Sequence, residues 1–332
     1  MSEFARGVRD SIIAVALTLI LVLMTSSVPL LSVAGVIVCG VPMAFLAAKH
    51  KPQFSVLALL AVAGIFWAFL NSFTGALSMM LMLVIPGAVA GYMLGKKSPF
   101  FSAVLGVSVT VCVGWLFIMF ILNTSVEGGI AGAVEALRPA LQESLTQSLG
   151  QMDSLGMNGE VSELAAAVPD AVNMALVVFR LYLPSMIVIS AAVLGYSVLR
   201  LSGFFVRITG AAEVNMVPFG MMKAPRSMSI AAVICYLISF FASAETAFGA
   251  VVANGALVLE FLLAVCGISF IDYQLKKSIR FAALRWLIYF GVFAVLFVTM
   301  LFPMVSYGFV IVGMLDAGRD FRRIGMYSDG EL

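Results

Sequence analysis

A chain of 332 residues that is 62% hydrophobic and only 11% charged, with a mean hydropathy of +1.11, lies far outside the range of water-soluble domains. A formal charge of +2 gives no basic surface of the kind nucleic-acid binding uses. Apolar runs as long as a bilayer core recur almost end to end, and they are continuous rather than alternating, so the fold class is an all-α integral membrane protein.

In chain order the predicted crossings cover residues 11–28, 30–48, 53–70, 74–95, 99–122, 174–199, 227–244, 248–272, 284–302 and 304–318, about ten in all. The first, preceded by Arg6 and Arg9, resembles a signal peptide, but "TSSVPLLS" offers a poor cleavage site and another apolar run follows, so an uncleaved helix is expected. His50, the only histidine, sits between Lys49 and Lys51 and reads as a solvated loop residue. The stretch "IPGAVAGYMLGKKS" over 85–98 mimics a phosphate loop but fails on spacing, with Ala90 where glycine is needed and Lys97 where Ser or Thr belongs. Its Gly87, Gly91 and Gly95 instead fall on one helical face. The second helix carries Gly40, Ala44 and Ala48 at the same spacing. Small residues so placed let helices approach backbone to backbone. The stripe therefore predicts packing within the chain or docking on another subunit.

Residues 123–173 are acidic, with Arg138 the lone basic residue. Ile130, Val134, Leu137, Leu141, Leu145 and Leu149 predict an amphipathic helix restarting at Pro139. "SLGMNGE" is read as a turn, followed by a short helix before Pro169. The segment is either a hairpin on the outer membrane surface or a lid over an outward cavity. Lys49/Lys51, Lys96/Lys97, the group Arg200 to Arg226, the group Lys276 to Arg285 with Arg280, and Arg319/Arg322/Arg323 then fall on the cytoplasmic side, with both termini.

Ionisable residues inside a bilayer are functional candidates. Arg180 is placed about 9 Å inside its helix end at 1.5 Å per residue. Asn254 lies at equal depth, Glu260 deeper, and Glu245 at the rim, so an Arg–Glu or Arg–Asn pair is expected, as a structural bridge or as a site for a small anionic or zwitterionic solute. Pro184 could kink the Arg180 helix, and Asn71 is a further polar group at a helix end. In the segment 201–226, Pro218, Phe219, Lys223 and Arg226 mix apolar and basic character, suiting the headgroup layer or a docked partner. "GRDFRR" reads as a basic stop-transfer anchor. Cys39, Cys112, Cys235 and Cys266 are isolated, so no metal site or disulfide framework is suggested, and no catalytic motif or cofactor signature occurs. An enzyme is not expected. The chain divides into six crossings over 1–200, a cytoplasmic connector over 201–226, and four crossings over 227–332.

The motifs "GVPMAFLAAKHK", "IPGAVAGYMLGKK", "NMVPFGMMKAPRS" and "GMLDAGRDFRR", in that order, resemble the YybS-like family of bacterial membrane proteins. The first half is in turn similar to the six-helix S components of energy-coupling-factor vitamin transporters. That similarity implies a small-solute site opening outward, and docking on a transmembrane coupling subunit with cytoplasmic ATPases, in the bacterial inner membrane. The four C-terminal helices depart from the S-component pattern. The competing expectation is a non-catalytic scaffold or assembly protein that recruits a cytoplasmic partner.

Overall fold

A computed structural model of the chain describes residues 2–154, 158–214, 216–243, 246–279, 281–298, 302–319 and 321–322. The centre of the turn read at 154–160, together with Glu245, Arg280 and Arg323, lies outside them. The described residues are mostly helical, without a strand among them, and divide into two compact units, Met1–Met216 and Val217–Leu332.

The first unit contains α1 (Glu3–Ser27), α2 (Pro29–Val38), α3 (Val41–Lys49), α4 (Pro52–Leu70), α5 (Phe73–Met79), α6 (Ile85–Gly95), α7 (Phe100–Ser125), α8 (Gly129–Glu135), α9 (Arg138–Ser154) and α10 (Asn158–Ile208). The second contains α11 (Arg226–Ser239), α12 (Ala247–Ser278), α13 (Ala282–Val298) and α14 (Phe302–Gly318). Every predicted crossing has a helical counterpart, and among the described residues six stretches are both long and apolar enough to span a bilayer: Glu3–Ser27, Pro52–Leu70, Phe73–Gly95, Phe100–Ser125, Leu164–Ile208 and Ala247–Ser278. The apolar stretches Ala34–Lys49, Arg226–Ser239, Ala282–Val292 and Val305–Gly318 are shorter over the described residues.

Prolines account for most local departures from the expected helices. The second predicted crossing is interrupted at Cys39–Gly40, because Pro42 has no N–H to give the carbonyl four residues back. A π turn over Met80–Val84 joins α5 to α6, and it sits directly before Pro86, whose ring cannot accept normal α-helical stacking on the preceding turn. Pro169 and Pro184, by contrast, lie inside α10 without ending it. The sixth crossing therefore does not begin at 174. It is the continuation of a 51-residue helix, about 76 Å long at 1.5 Å per residue.

The core of the first unit gathers Ala14 and Val22 of α1, Cys39, Met43 of α3, Val62 and Phe66 of α4, and Met80 and Val84 of the π turn. The buried face of α1 reads Gly7, Asp10, Ala14, Thr18, Val22, a stripe at spacings of three and four. Beside it α3 and α6 lie backbone to backbone. A β-carbon on Gly87 would overlap the Gly40 carbonyl, one on Gly91 the Ala44 carbonyl, and one on Gly95 would come within 2.9 Å of the Ala48 oxygen. In the second unit α12 and α14 meet in the same way: a β-carbon on Gly267 would overlap the Phe309 carbonyl, and one on Gly313 the Leu263 carbonyl. Leu263, Cys266, Val310 and Ala317 close the core around that contact.

Gly91→Leu should therefore destabilise the fold itself, at or beyond the upper end of the ~1–3 kcal/mol typical of overpacking. Gly64→Leu, at a position with open space around it, should leave the melting temperature and the size-exclusion profile of the purified protein unchanged. Equal behaviour of the two variants would remove the packing role from the stripe.

Candidate functional site

Arg180 is gripped from the acidic segment. One Nη2 donates to Glu135 Oε2 at 2.8 Å and to the Ala131 carbonyl at 3.2 Å. Arg138, three residues after Glu135, donates to the same carboxylate through Nε and to Asn173 through Nη1. Two guanidinium groups thus share one carboxylate, which leaves a positive surplus. All three side chains keep a third to a half of their surface exposed. The Glu135 carboxyl is held below its ordinary range, first by the Arg138 hydrogen bond and then by the charges of Arg138 and Arg180. An apolar seam lies beneath: Val134 packs with Val172 and Leu176, flanked by Ile130, Val168 and Phe179. The helix α8 is therefore closed onto α10 by an apolar contact and an ion-pair latch.

The twenty residues from Arg180 to Arg200 alone cover about 30 Å, the thickness of a hydrocarbon core. The Arg180 side chain is 42% exposed.

The remaining ligand candidates have local partners. Asn254 Nδ2 donates to the Ala250 carbonyl at 2.8 Å within α12. Glu260, half-buried on the same helix, accepts from the Tyr236 hydroxyl at 2.9 Å. Both belong to the second unit, Arg180 to the first. Asn71 is the C-cap of α4 in a left-handed conformation, φ 47°, a backbone state that asparagine tolerates better than most residues.

The segment after residue 200 differs from a free connector. Residues 201–208 continue α10, and 217–226 is folded against the second unit. A short 3-10 turn over Phe219–Met221 buries Gly220. Ser269 Oγ of α12 lies 2.6 and 2.8 Å from the Phe219 and Met222 carbonyls, between which its one hydroxyl proton is shared. Arg322 closes the arrangement: Nη1 donates to the Gly220 carbonyl and to Ser269 Oγ, and Nη2 to the Cys266 carbonyl at 3.1 Å. Its guanidinium also pairs with Asp316 of α14 at 2.9 Å, with both side chains at or below 1% exposure. Reading "GRDFRR" as a surface anchor is thus corrected for Arg322, which is a buried clamp. Pro218, Met221 and Arg226 remain exposed, while Phe219 and Lys223 are half-buried.

His50 is corrected as well. Its side chain is 9% exposed and its Nε2 donates to Asp10 Oδ2 at 3.0 Å, beside Lys49 Nζ at 2.9 Å. Arg9 holds the other oxygen through Nε and Nη2. The signal was present in the sequence: Asp10 falls in register with Gly7, Ala14 and Thr18, on the face that must be buried. Among the described residues no group of three or more His, Cys, Asp or Glu side chains could hold a metal ion.

These features define an all-α membrane protein with two separately packed helical units. The chain belongs to the DUF2232 family of predicted membrane proteins, whose model matches residues 16–317. No curated protein and no solved structure matches it.

Arg322→Ala strands Asp316 in a buried site, so the second unit should lose about 3–5 kcal/mol, read as a drop in thermal stability. Pairing Arg322→Met with Asp316→Leu should recover much of it. For the latch the sign follows from a depressed carboxyl: its contribution is full above the unfolded pKa and is lost as pH falls through the lower folded value. Amide exchange in α8, corrected for intrinsic rate, should stay protected through the ordinary glutamate range and rise only below it, whereas Glu135→Gln should remove that dependence.

Proposed function

We propose that the protein is a solute-binding membrane component of a bacterial transporter, YybS-like, with its first unit S-component-like and its acidic segment on the outer side of the inner membrane. The observation that carries this reading is the shared carboxylate at Arg180. A partly exposed guanidinium on a spanning helix, closed over by the short helix α8 and already holding a carboxylate, suits an anionic or zwitterionic solute. The solute's carboxylate takes the place of Glu135, and α8 is released from α10 as it does so. The composition of the first unit supports the reading, since it holds five of the six long spans together with Ala34–Lys49. The coupling subunit and its ATPases would engage the cytoplasmic ends of these helices.

Glu135 competes with the solute in this scheme, so its removal lowers the cost of opening. A saturating solute from a panel of vitamins, amino acids and carboxylates should stabilise the purified protein by about 2.7 kcal/mol at a hundredfold excess over Kd. Arg180→Ala should abolish that shift and Glu135→Gln should tighten binding. A panel that shifts nothing counts against the solute reading.

A second reading, a non-catalytic scaffold recruiting a cytoplasmic partner, draws on the segment 217–226. Its backbone is tied down by Ser269 and Arg322 while Pro218, Met221 and Arg226 face outward, a rigid apolar and basic surface. Crosslinking from Phe219 or Lys223 separates the two: an ATPase pair supports the transporter, and any other specific partner the scaffold.

A further inference from the structure

A groove of about 560 Å³ runs along α1 in the first unit, within the ~300–1,000 Å³ range of small-ligand clefts. Ala14 and Pro42 form part of its floor, with Leu17, Phe45 and Phe205 on its sides. The floor is hollow because Ala14, 2% exposed, is small and Pro42 interrupts the neighbouring helix. From Arg9 to Ile20 the lining follows α1 for about 16 Å, much of one leaflet's hydrocarbon depth.

One end of this apolar trough is charged. Arg9 and Lys49 both line it, and their joint partner Asp10 supplies one negative charge against two positive ones. Arginine has five donors and lysine three. Arg9 directs two of its donors at Asp10 and Lys49 one, so donors remain on both. Asp10 serves to fix these cations at the mouth, with His50 as a third brace from behind. Their side chains are 55% and 40% exposed, within reach of a headgroup.

We propose that the groove binds one anionic phospholipid, its phosphate at Arg9 and Lys49 and one acyl chain along α1 past Ala14 and Leu17. Charge complementarity selects the head, and the length and apolar lining of the trough select the chain. A partner helix would satisfy the trough but leave the cationic mouth without an anion. The site is separate from the Arg180 latch and does not depend on it.

The test is native mass spectrometry of the full chain in neutral detergent, with dioleoyl phosphatidylglycerol or dioleoyl phosphatidylcholine added. One phosphatidylglycerol should be retained after the detergent shell is stripped, in preference to phosphatidylcholine. Arg9→Gln should weaken its retention about fivefold, the effect of one cation on an anionic lipid. Leu17→Trp, a substitution at a position 47% exposed, fills the trough and should weaken it comparably. Either variant decides the matter if the other fails to fold, because one acts on the head and the other on the chain. Equal retention of the two lipids, or variants that retain phosphatidylglycerol like the parent protein, would overturn the proposal. So would a copurifying protein segment in the groove that lipid does not displace.

Discussion

Two carbonyls, those of Gly40 and Ala44, lie where β-carbons of residues 87 and 91 would have to be. Helices in lipid gain little from hiding apolar side chains from one another, because the surrounding tails are equally apolar. Close backbone contact supplies the attraction instead, and it is available only where side chains are absent. The arrangement of the first unit follows from that constraint. With α3 held against α6, α1 packs its stripe of small residues and Asp10 on the same body, and Lys49 at the end of α3 comes to the Asp10 carboxylate. The second unit repeats the solution with different residues, Gly267 and Gly313, at the α12–α14 contact.

The polar groups follow a similar economy. Asp10, Asp316 and Arg322 are buried: Asp10 and Arg322 are each met by several opposite charges or hydrogen-bonding groups, and Asp316 is paired with the Arg322 guanidinium. Isolated charges at such depth would be prohibitive. The Arg180–Glu135–Arg138 cluster is different: it is partly solvated, unevenly charged and anchored on a short helix. A satisfied buried pair favours a single arrangement, whereas a solvated pair with surplus charge can exchange partners at small cost. That contrast is why the exposed Arg180 cluster is the one proposed to exchange its carboxylate for a solute's.

Much of the helical plan was legible from apolar run lengths, and the Gly40/Ala44/Ala48 and Gly87/Gly91/Gly95 stripes pointed to the two helices that meet. Spacing reveals such contacts because it is a local property of the backbone. Helix limits were harder. Pro169 looked like a stop, yet α10 runs through it, since one missing hydrogen bond does not end a helix whose flanks are strongly helical. The partners of charged residues were least legible. Arg322 sits among basic residues that suggest a surface anchor, and its burial depends on Gly220, 102 residues earlier in the chain. Nothing local encodes that pairing. Asp10 was more accessible to reasoning, through its register with Gly7 and Ala14, but its partners Lys49 and His50 required the fold.

The Arg322 clamp also carries a consequence for synthesis. The turn over Phe219–Met221 precedes all four helices of its unit, while the guanidinium that binds the Gly220 carbonyl follows all four. At ribosomal speeds of ~5–20 residues per second, the turn waits roughly 5–20 s for its final donor. During that interval the Gly220 carbonyl lacks the guanidinium that meets it in the finished unit. The opening segment of the second unit is thus fastened by the last described part of that unit to be made, so its assembly is completed from the far end of the chain.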